Sequence, residues 1–172
     1  MAKLLTDPEY AVRGRLVAVD NSGAVGPLFT LRIPPNTADV QRPASYLDFR
    51  LLDTNRKTLQ KRIALDDELD VVIHAAAATV DAGTQREPTF RLRPVSRSQQ
   101  IPYCRRIFES LSPINGKVVA NDEHHTIVVD AGVPVVVTLL GHTPTRTRQV
   151  KVNAWVTFWP CPPTHGVVLG KA

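Results

Sequence analysis

The sequence predicts an all-β fold, made of two small antiparallel β-barrels with a short helix or turn at their junction. Short runs of β-branched and aromatic residues recur along the chain, and turn formers such as Asn21-Ser22-Gly23 and Pro34-Pro35 separate them. Many of these runs alternate between apolar and polar residues, which is the period of a half-buried strand. Helix-favouring composition is confined to residues 75–78 and 103–111.

The first half of the chain reads as a series of strands joined by turns. Leu47, Phe49 and Leu51 share one strand face, and Asp53-Thr54-Asn55-Arg56 then has the composition of a tight turn. The predicted strands are residues 13–20, 26–33, 46–52, 58–65, 69–80 and 90–93.

A polar segment separates the halves, and five further strands follow it. Residues 1–95 are predicted to form the N-terminal barrel-like domain, residues 96–115 a linker with a short helix, and residues 116–172 the C-terminal barrel. The five strands of the C-terminal half are residues 117–120, 126–130, 133–140, 150–159 and 166–169.

The fourth of these strands, Val150–Trp159, has two faces of different chemistry. Strand alternation places one set of side chains toward a core and the other set on the opposite face. The predicted core set is Val150, Val152, Ala154, Val156 and Phe158, and the opposite set is Lys151, Asn153, Trp155, Thr157 and Trp159. Aromatic rings beside a cation and amide groups are typical of a base-stacking platform, of a protein–protein hot spot, or of a seam between two halves of one chain.

The order of the C-terminal strands resembles an oligonucleotide-binding (OB) fold. Thr126-Ile-Val-Val-Asp130 followed by Val133-Pro-Val-Val-Val137, and then Val150–Phe158, look like strands two to four of that barrel. The resemblance covers residues 116–170, and residues 14–93 only loosely. The sequence departs from that family at two places: residues 141–149 leave no room for the usual helix between strands three and four, and the predicted closing strand is short.

The OB resemblance implies ligand contacts on the middle strands and their flanking loops. It therefore implicates Trp155, Trp159, Lys151 and Asn153 on the fourth strand, with Arg146 and Arg148 in the loop before it. Arg91 and Arg93 share a strand face and form a separate candidate basic stripe, although the acids of residues 66–70 offer them salt-bridge partners instead.

The predicted function is non-enzymatic binding of single-stranded nucleic acid, with the tryptophan strand supplying stacking and the arginines following phosphates. The formal charge of +5 permits an anionic partner. The alternative is a structural or assembly subunit, a homo-oligomer or part of a multi-protein complex or virus particle, in which the same face contacts protein.

Several function classes are disfavoured. No apolar stretch long enough to span a bilayer occurs, and the first ten residues contain Asp7 and Glu9, so no membrane association is expected and a cytoplasmic location is predicted. Cys104 and Cys161 are expected to be free thiols. No catalytic motif, cofactor fingerprint or zinc-ligand spacing is recognisable, and Cys161-x-x-x-His165 lacks a second closely spaced ligand pair.

Overall fold

The computed structural model describes residues 3–22, 26–33, 47–80, 89–90, 93–94, 114–122, 125–140, 150–158 and 161–172. Most of these residues lie in an 11-stranded sheet. Its strands are β1 (Val12–Asp20), β2 (Leu28–Ile33), β3 (Leu47–Asp53), β4 (Glu68–Val80), β5 (Thr89–Phe90), β6 (Arg93–Pro94), β7 (Ile114–Asn121), β8 (Thr126–Asp130), β9 (Pro134–Leu140), β10 (Trp155–Phe158) and β11 (Cys161–Lys171). The described helical segments are the 3₁₀ turns Lys3–Thr6, Pro8–Tyr10 and Lys57–Leu59.

Five of the strands close into a barrel in the order β1-β2-β3-β11-β4, and β1 completes the ring by pairing with β4. β1 serves both neighbours because its first residues pair with β4 while residues from Arg15 onward pair with β2. A register shift between Leu16 and Ala18 bends β1 at this change of partner. The β3–β11 pairing is parallel, whereas the other four pairings of the ring are antiparallel.

Alternate residues of the barrel strands fill its interior. In β2, buried residues alternate with partly exposed ones, as the apolar spacing of Phe29, Leu31 and Ile33 predicts. Phe49 and Leu51 of β3 are completely buried in the same core. Burial of each such side chain stabilises the fold by about 1.5–3 kcal/mol.

The C-terminal half extends this sheet from β4. The 13-residue strand β4 pairs with β1 near its start and, from Ile73 onward, in parallel with β9. The sheet then continues in the order β9-β8-β7-β10-β6. Ile127 and Phe158 of this extension belong to the same buried cluster as Phe29 and Phe49 of the barrel. One apolar core therefore runs through strands of both halves.

A smaller cluster covers the opposite, outer face of the sheet. Val72, Val128, Val136 and Val167, from four neighbouring strands, pack there against Leu5. The N-terminal 3₁₀ turns contact β4, β9 and β11 at this place. The N-terminal segment thus shields the apolar part of the outer face from water.

The prediction of a mostly β fold is confirmed. One closed barrel is present, but the strands that form it differ from those expected. Its fifth strand, β11, comes from the C-terminal end of the chain, and it runs for 11 residues instead of being short. Two pairings are parallel, β3–β11 and β4–β9, so the sheet is not purely antiparallel. No pairing among the described residues closes β9-β8-β7-β10-β6 into a ring, and the second barrel stays a prediction.

Two further expectations concern connections. The strand expected at residues 58–65 is wrong, because this stretch begins in the 3₁₀ turn Lys57–Leu59 and continues as loop and turn. Residues 95–113, which contain the expected helix and most of the expected linker, lie outside the described residues, as do most of residues 81–94. The division into two domains therefore stays a prediction.

Candidate functional site

Trp155 is the first residue of β10 and lies on the sheet face opposite the core. β10 pairs with β7, so that Trp155 is opposite Lys117 and Val156 is opposite Gly116. Val156 is buried, and a Cβ at Gly116 would collide with the carbonyl oxygen of Asp130, which shows that this pair faces the packed interior. Trp155 and Lys117 therefore share the other face, where both side chains are half-buried.

The residues before Trp155 form a turn, so the expected continuous strand Val150–Trp159 is wrong for its first part. The amide of Ala154 donates to the carbonyl of Lys151 at 3.2 Å, and Asn153 has a φ of 73°. Asparagine tolerates this left-handed conformation better than most residues do. The amide of Asn153 donates to the carbonyl of Val118 at 2.7 Å, which docks the turn on β7. Val152, an expected core residue, is consequently 49% exposed.

The structure describes only part of the predicted ligand-contacting set. Lys151 and Asn153 are exposed, and they lie within four residues of the half-buried Trp155. The backbone of Arg93 is in β6, where it pairs with Thr157 of β10. Trp159, Arg146, Arg148 and Arg91 lie outside the described residues.

Register adds residues to this surface that the sequence reasoning missed. Lys117 enters only through its pairing with Trp155, and Val119, next to the docked turn, is 39% exposed. We call this surface the Trp155 patch. It consists of Lys117, Val119, Lys151, Val152, Asn153 and Trp155. The composition of β7 alone gives no sign of it, because the β7–β10 pairing decides which residues meet.

A second cationic surface is formed by the connection between β3 and β4. Residues 56–62 of this connection contain four basic residues and no acidic residue. The basic residues are Arg56, Lys57, Lys61 and Arg62. Asp53 holds the base of the loop, since its Oδ2 accepts hydrogen bonds from the amide and hydroxyl of Thr58. We call residues 56–62 the basic loop. The run of basic residues is visible in the sequence, but the expectation of a strand at 58–65 concealed it.

The basic loop packs against the end of β11. Lys57 Nζ donates to the carbonyl of Leu169 at 3.2 Å, and Lys171 Nζ donates to the carbonyl of Arg62 at 3.3 Å. Lys171 also forms a 3.0 Å ion pair with Asp67. A shallow cavity of about 320 Å³ lies between the loop and the strand. Part of the positive charge here is therefore already engaged within the protein.

On the outside of β1–β3, charges are arranged in pairs. Arg32 contacts Asp48 through two hydrogen bonds of 2.8 and 2.9 Å, and the hydrogen bond from Arg32 lowers the pKa of the Asp48 carboxyl. Two more arginine–aspartate pairs flank it, Arg13–Asp70 at 3.1 Å and Arg50–Asp20 at 3.4 Å. Most of the arginines of this face thus have an acidic partner within the protein.

A polar row crosses the outer face of the sheet beyond the N-terminal segment. His74 of β4 is the register partner of His165 of β11, and their ring centroids are 5.8 Å apart. The Nε2 atom of His74 lies 2.7 Å from Oγ1 of Thr138, and the Nδ1 atom of His165 lies 3.1 Å from Oγ1 of Thr54. Each histidine is thus oriented by a threonine hydroxyl.

Burial makes both imidazoles weak bases. Desolvation, with a smaller contribution from the neighbouring His165, lowers the pKa of His74 from 6.5 to about 4. Desolvation also lowers the pKa of His165. Both rings are therefore neutral near pH 7. Among the described side chains, no group of three histidine, cysteine or acidic residues is placed to hold a metal ion.

Comparison with protein-family models, with curated proteins and with solved structures gives no match. None of the helices in the described part of the chain has the length and apolar character needed to traverse a bilayer.

Proposed function

We propose that this protein binds single-stranded nucleic acid without catalysing a reaction, and that the Trp155 patch is the contact surface. The carrying observation is the pairing of Trp155 with Lys117 on the outer face of the sheet. Stacking of a base on an aromatic ring contributes about 1–3 kcal/mol and accepts any base. Directly paired residues have Cβ atoms roughly 5 Å apart, so a base on the indole brings its phosphate within reach of the lysine.

The turn of the patch supports the same proposal. Lys151 and Asn153 are both exposed beside Trp155 and offer an ammonium group and an amide. Because backbone hydrogen bonds of Asn153 and Ala154 hold the turn on β7, the backbone that carries these groups is in place before a ligand arrives. The patch therefore combines stacking, phosphate neutralisation and hydrogen bonding.

We further propose that the closed barrel is OB-like, with β11 as its fifth strand. OB folds bind ligands on strands two and three and on the loops that connect strands one to two and four to five. In this assignment the connection from strand four to strand five is the whole segment between β4 and β11, which contains Trp155. The outer side of β2 and β3 presents arginine–aspartate pairs, and its described residues include no aromatic ring.

The test is fluorescence anisotropy of labelled oligothymidylate with the full chain at low and moderate salt. Trp155→Ala should weaken binding roughly 5- to 150-fold, which corresponds to about 1–3 kcal/mol. Lys151→Ala should weaken it less and reduce the salt dependence. Lys61→Ala, in the basic loop, removes the same charge elsewhere and is the matched control. Unchanged affinity of Trp155→Ala, or no binding at low salt, would overturn the proposal.

A second candidate is the assembly subunit, and the exposed valines of the patch favour it. Val119 and Val152 expose 39% and 49% of their surface beside Trp155, which is an apolar composition suited to a protein contact. Val152→Lys separates the two candidates. It adds a cation and should strengthen oligonucleotide binding, whereas it should disrupt an oligomer built on this patch. A chain that is monomeric at high concentration in light scattering contradicts self-assembly.

A further inference from the structure

The polar row of His74, His165, Thr138 and Thr54 is separate from the Trp155 patch and has its own chemistry. The two imidazoles come from adjacent antiparallel strands and are direct register partners. Strand pairing therefore fixes their relative position before any ligand binds. Since β4 and β11 are both strands of the closed barrel, this arrangement is part of its rigid framework.

Each ring has one nitrogen in contact with a threonine hydroxyl and one without a partner among the described residues. Nε2 of His74 is hydrogen-bonded to the hydroxyl of Thr138, and Nδ1 of His165 is hydrogen-bonded to the hydroxyl of Thr54. Among the described residues, Nδ1 of His74 and Nε2 of His165 have no hydrogen-bond partner. A histidine that binds a metal through one ring nitrogen almost always donates a hydrogen bond from the other ring nitrogen to an oxygen. This hydrogen bond fixes the orientation of the ring.

The separation of the rings suits a single ion. Zn–N bonds are about 2.0–2.1 Å long, so two imidazole nitrogens on one ion lie at most about 4.2 Å apart. The ring centroids are 5.8 Å apart and the rings are inclined by 50°. Thr54 follows β3 and Thr138 is in β9, and these two strands flank the β11–β4 pair on opposite sides. The ring nitrogens that the threonines do not contact therefore lie on the sides of the rings nearer to each other.

We propose that His74 and His165 form a two-histidine binding site for a late first-row divalent metal such as Zn²⁺ or Cu²⁺. Neutral imidazole is the ligand form that these metals require, and the hydroxyls of Thr138 and Thr54 orient it. The register places the backbone of Cys161 opposite Ala76, two residues beyond His74 along β4. Cys161 is accordingly included in the test.

The experiment is isothermal titration calorimetry, in which ZnCl₂ is added to the full chain after treatment with a chelator. Thermal unfolding is the second readout. We expect one saturable site and a rise in Tm that depends on Zn²⁺ concentration. His74→Gln and His165→Gln should each weaken binding at least 10-fold. His125→Gln is the matched control, because it removes an exposed histidine directly before β8, and it should leave binding unchanged.

Two more variants keep the test decisive. Thr138→Val retains both histidines and should weaken Zn²⁺ binding roughly 10- to 100-fold by releasing His74, even where a histidine variant folds poorly. Cys161→Ser distinguishes the histidine pair from a thiol acting without it. The proposal is overturned if the wild-type chain shows no saturable binding, or if both histidine variants keep it while Cys161→Ser or His125→Gln abolishes it.

Discussion

Gly166 of β11 lies directly against the ring of Phe29 in β2, across the interior of the barrel. A Cβ at position 166 would be 2.5 Å from Cζ of Phe29 and 3.1 Å from Cδ1 of Leu51. Real Cβ atoms do not come so close, and the phenylalanine ring is completely buried with no room to retreat. The ring of Phe29 occupies the space that a side chain on β11 would otherwise need.

Gly166→Ala should therefore destabilise the protein by about 1–3 kcal/mol through overpacking. Urea unfolding followed by far-UV circular dichroism measures the change. Gly170→Ala, on the same strand, is the control, because a Cβ there meets no atom of the described residues within 4 Å. Equal stability of the two variants would contradict this account of the core.

Stability should fall between pH 6.5 and pH 4 because of His74. Its pKa in the folded protein is about 4, below the value of 6.5 in the unfolded chain. In this window the unfolded chain takes up a proton that the folded protein refuses, so the stabilisation is complete above pH 6.5 and is lost as pH falls toward 4. The contribution reaches about 3 kcal/mol at most.

The measurement is urea unfolding at several pH values with a chelator present. His74→Gln should reduce the dependence between pH 6.5 and pH 4 and leave the smaller part that His165 contributes, whereas His125→Gln should retain the wild-type dependence. A wild-type chain whose stability does not change over this range would show that His74 is not shielded as described.

Asn153 should matter for stability through its backbone conformation. Its φ of 73° is accessible to glycine and asparagine but strained for a β-branched residue. Asn153→Val should cost about 1–2 kcal/mol and raise the backbone mobility of the turn, while Asn153→Gly should keep the stability close to that of the wild type. Thermal unfolding compares the two variants. Equal losses in both would mean that the amide side chain, and not the left-handed backbone, is what the turn requires.

A fragment of residues 1–95 should not fold as a closed barrel. In the intact protein β11 lies between β3 and β4, so the fragment leaves β3 without one neighbour and Phe29 without its cover at Gly166. Far-UV circular dichroism and the chemical-shift dispersion of the amide protons in NMR spectra measure whether the fragment is folded. Adding residues 161–172 through a glycine-serine linker should increase the cooperativity of unfolding. A cooperative transition in the 1–95 fragment alone would favour two independent domains.

The strands that the sequence predicted best are those whose apolar spacing is unambiguous. β2 alternates throughout and β3 alternates from Asp48 to Leu51, and the buried sides of the two strands hold Phe29, Leu31, Phe49 and Leu51. The same reasoning gave a wrong strand at residues 58–65. The pattern of residue types there is compatible with a strand, but the amide of Thr58 donates a hydrogen bond to the Asp53 carboxylate and the chain forms a loop. A buried carboxylate that organises a loop leaves no periodic trace.

The chain's own residues determined its β character and the buried face of Val156 and Phe158 in β10, because alternation and turn composition act over a few neighbouring residues. Tertiary structure alone decided that β11 closes the barrel, that Lys117 lies opposite Trp155, and that His74 meets His165. Partner choice and register depend on contacts between segments far apart in sequence. Their free energies are summed over the whole core, and no local pattern contains that sum.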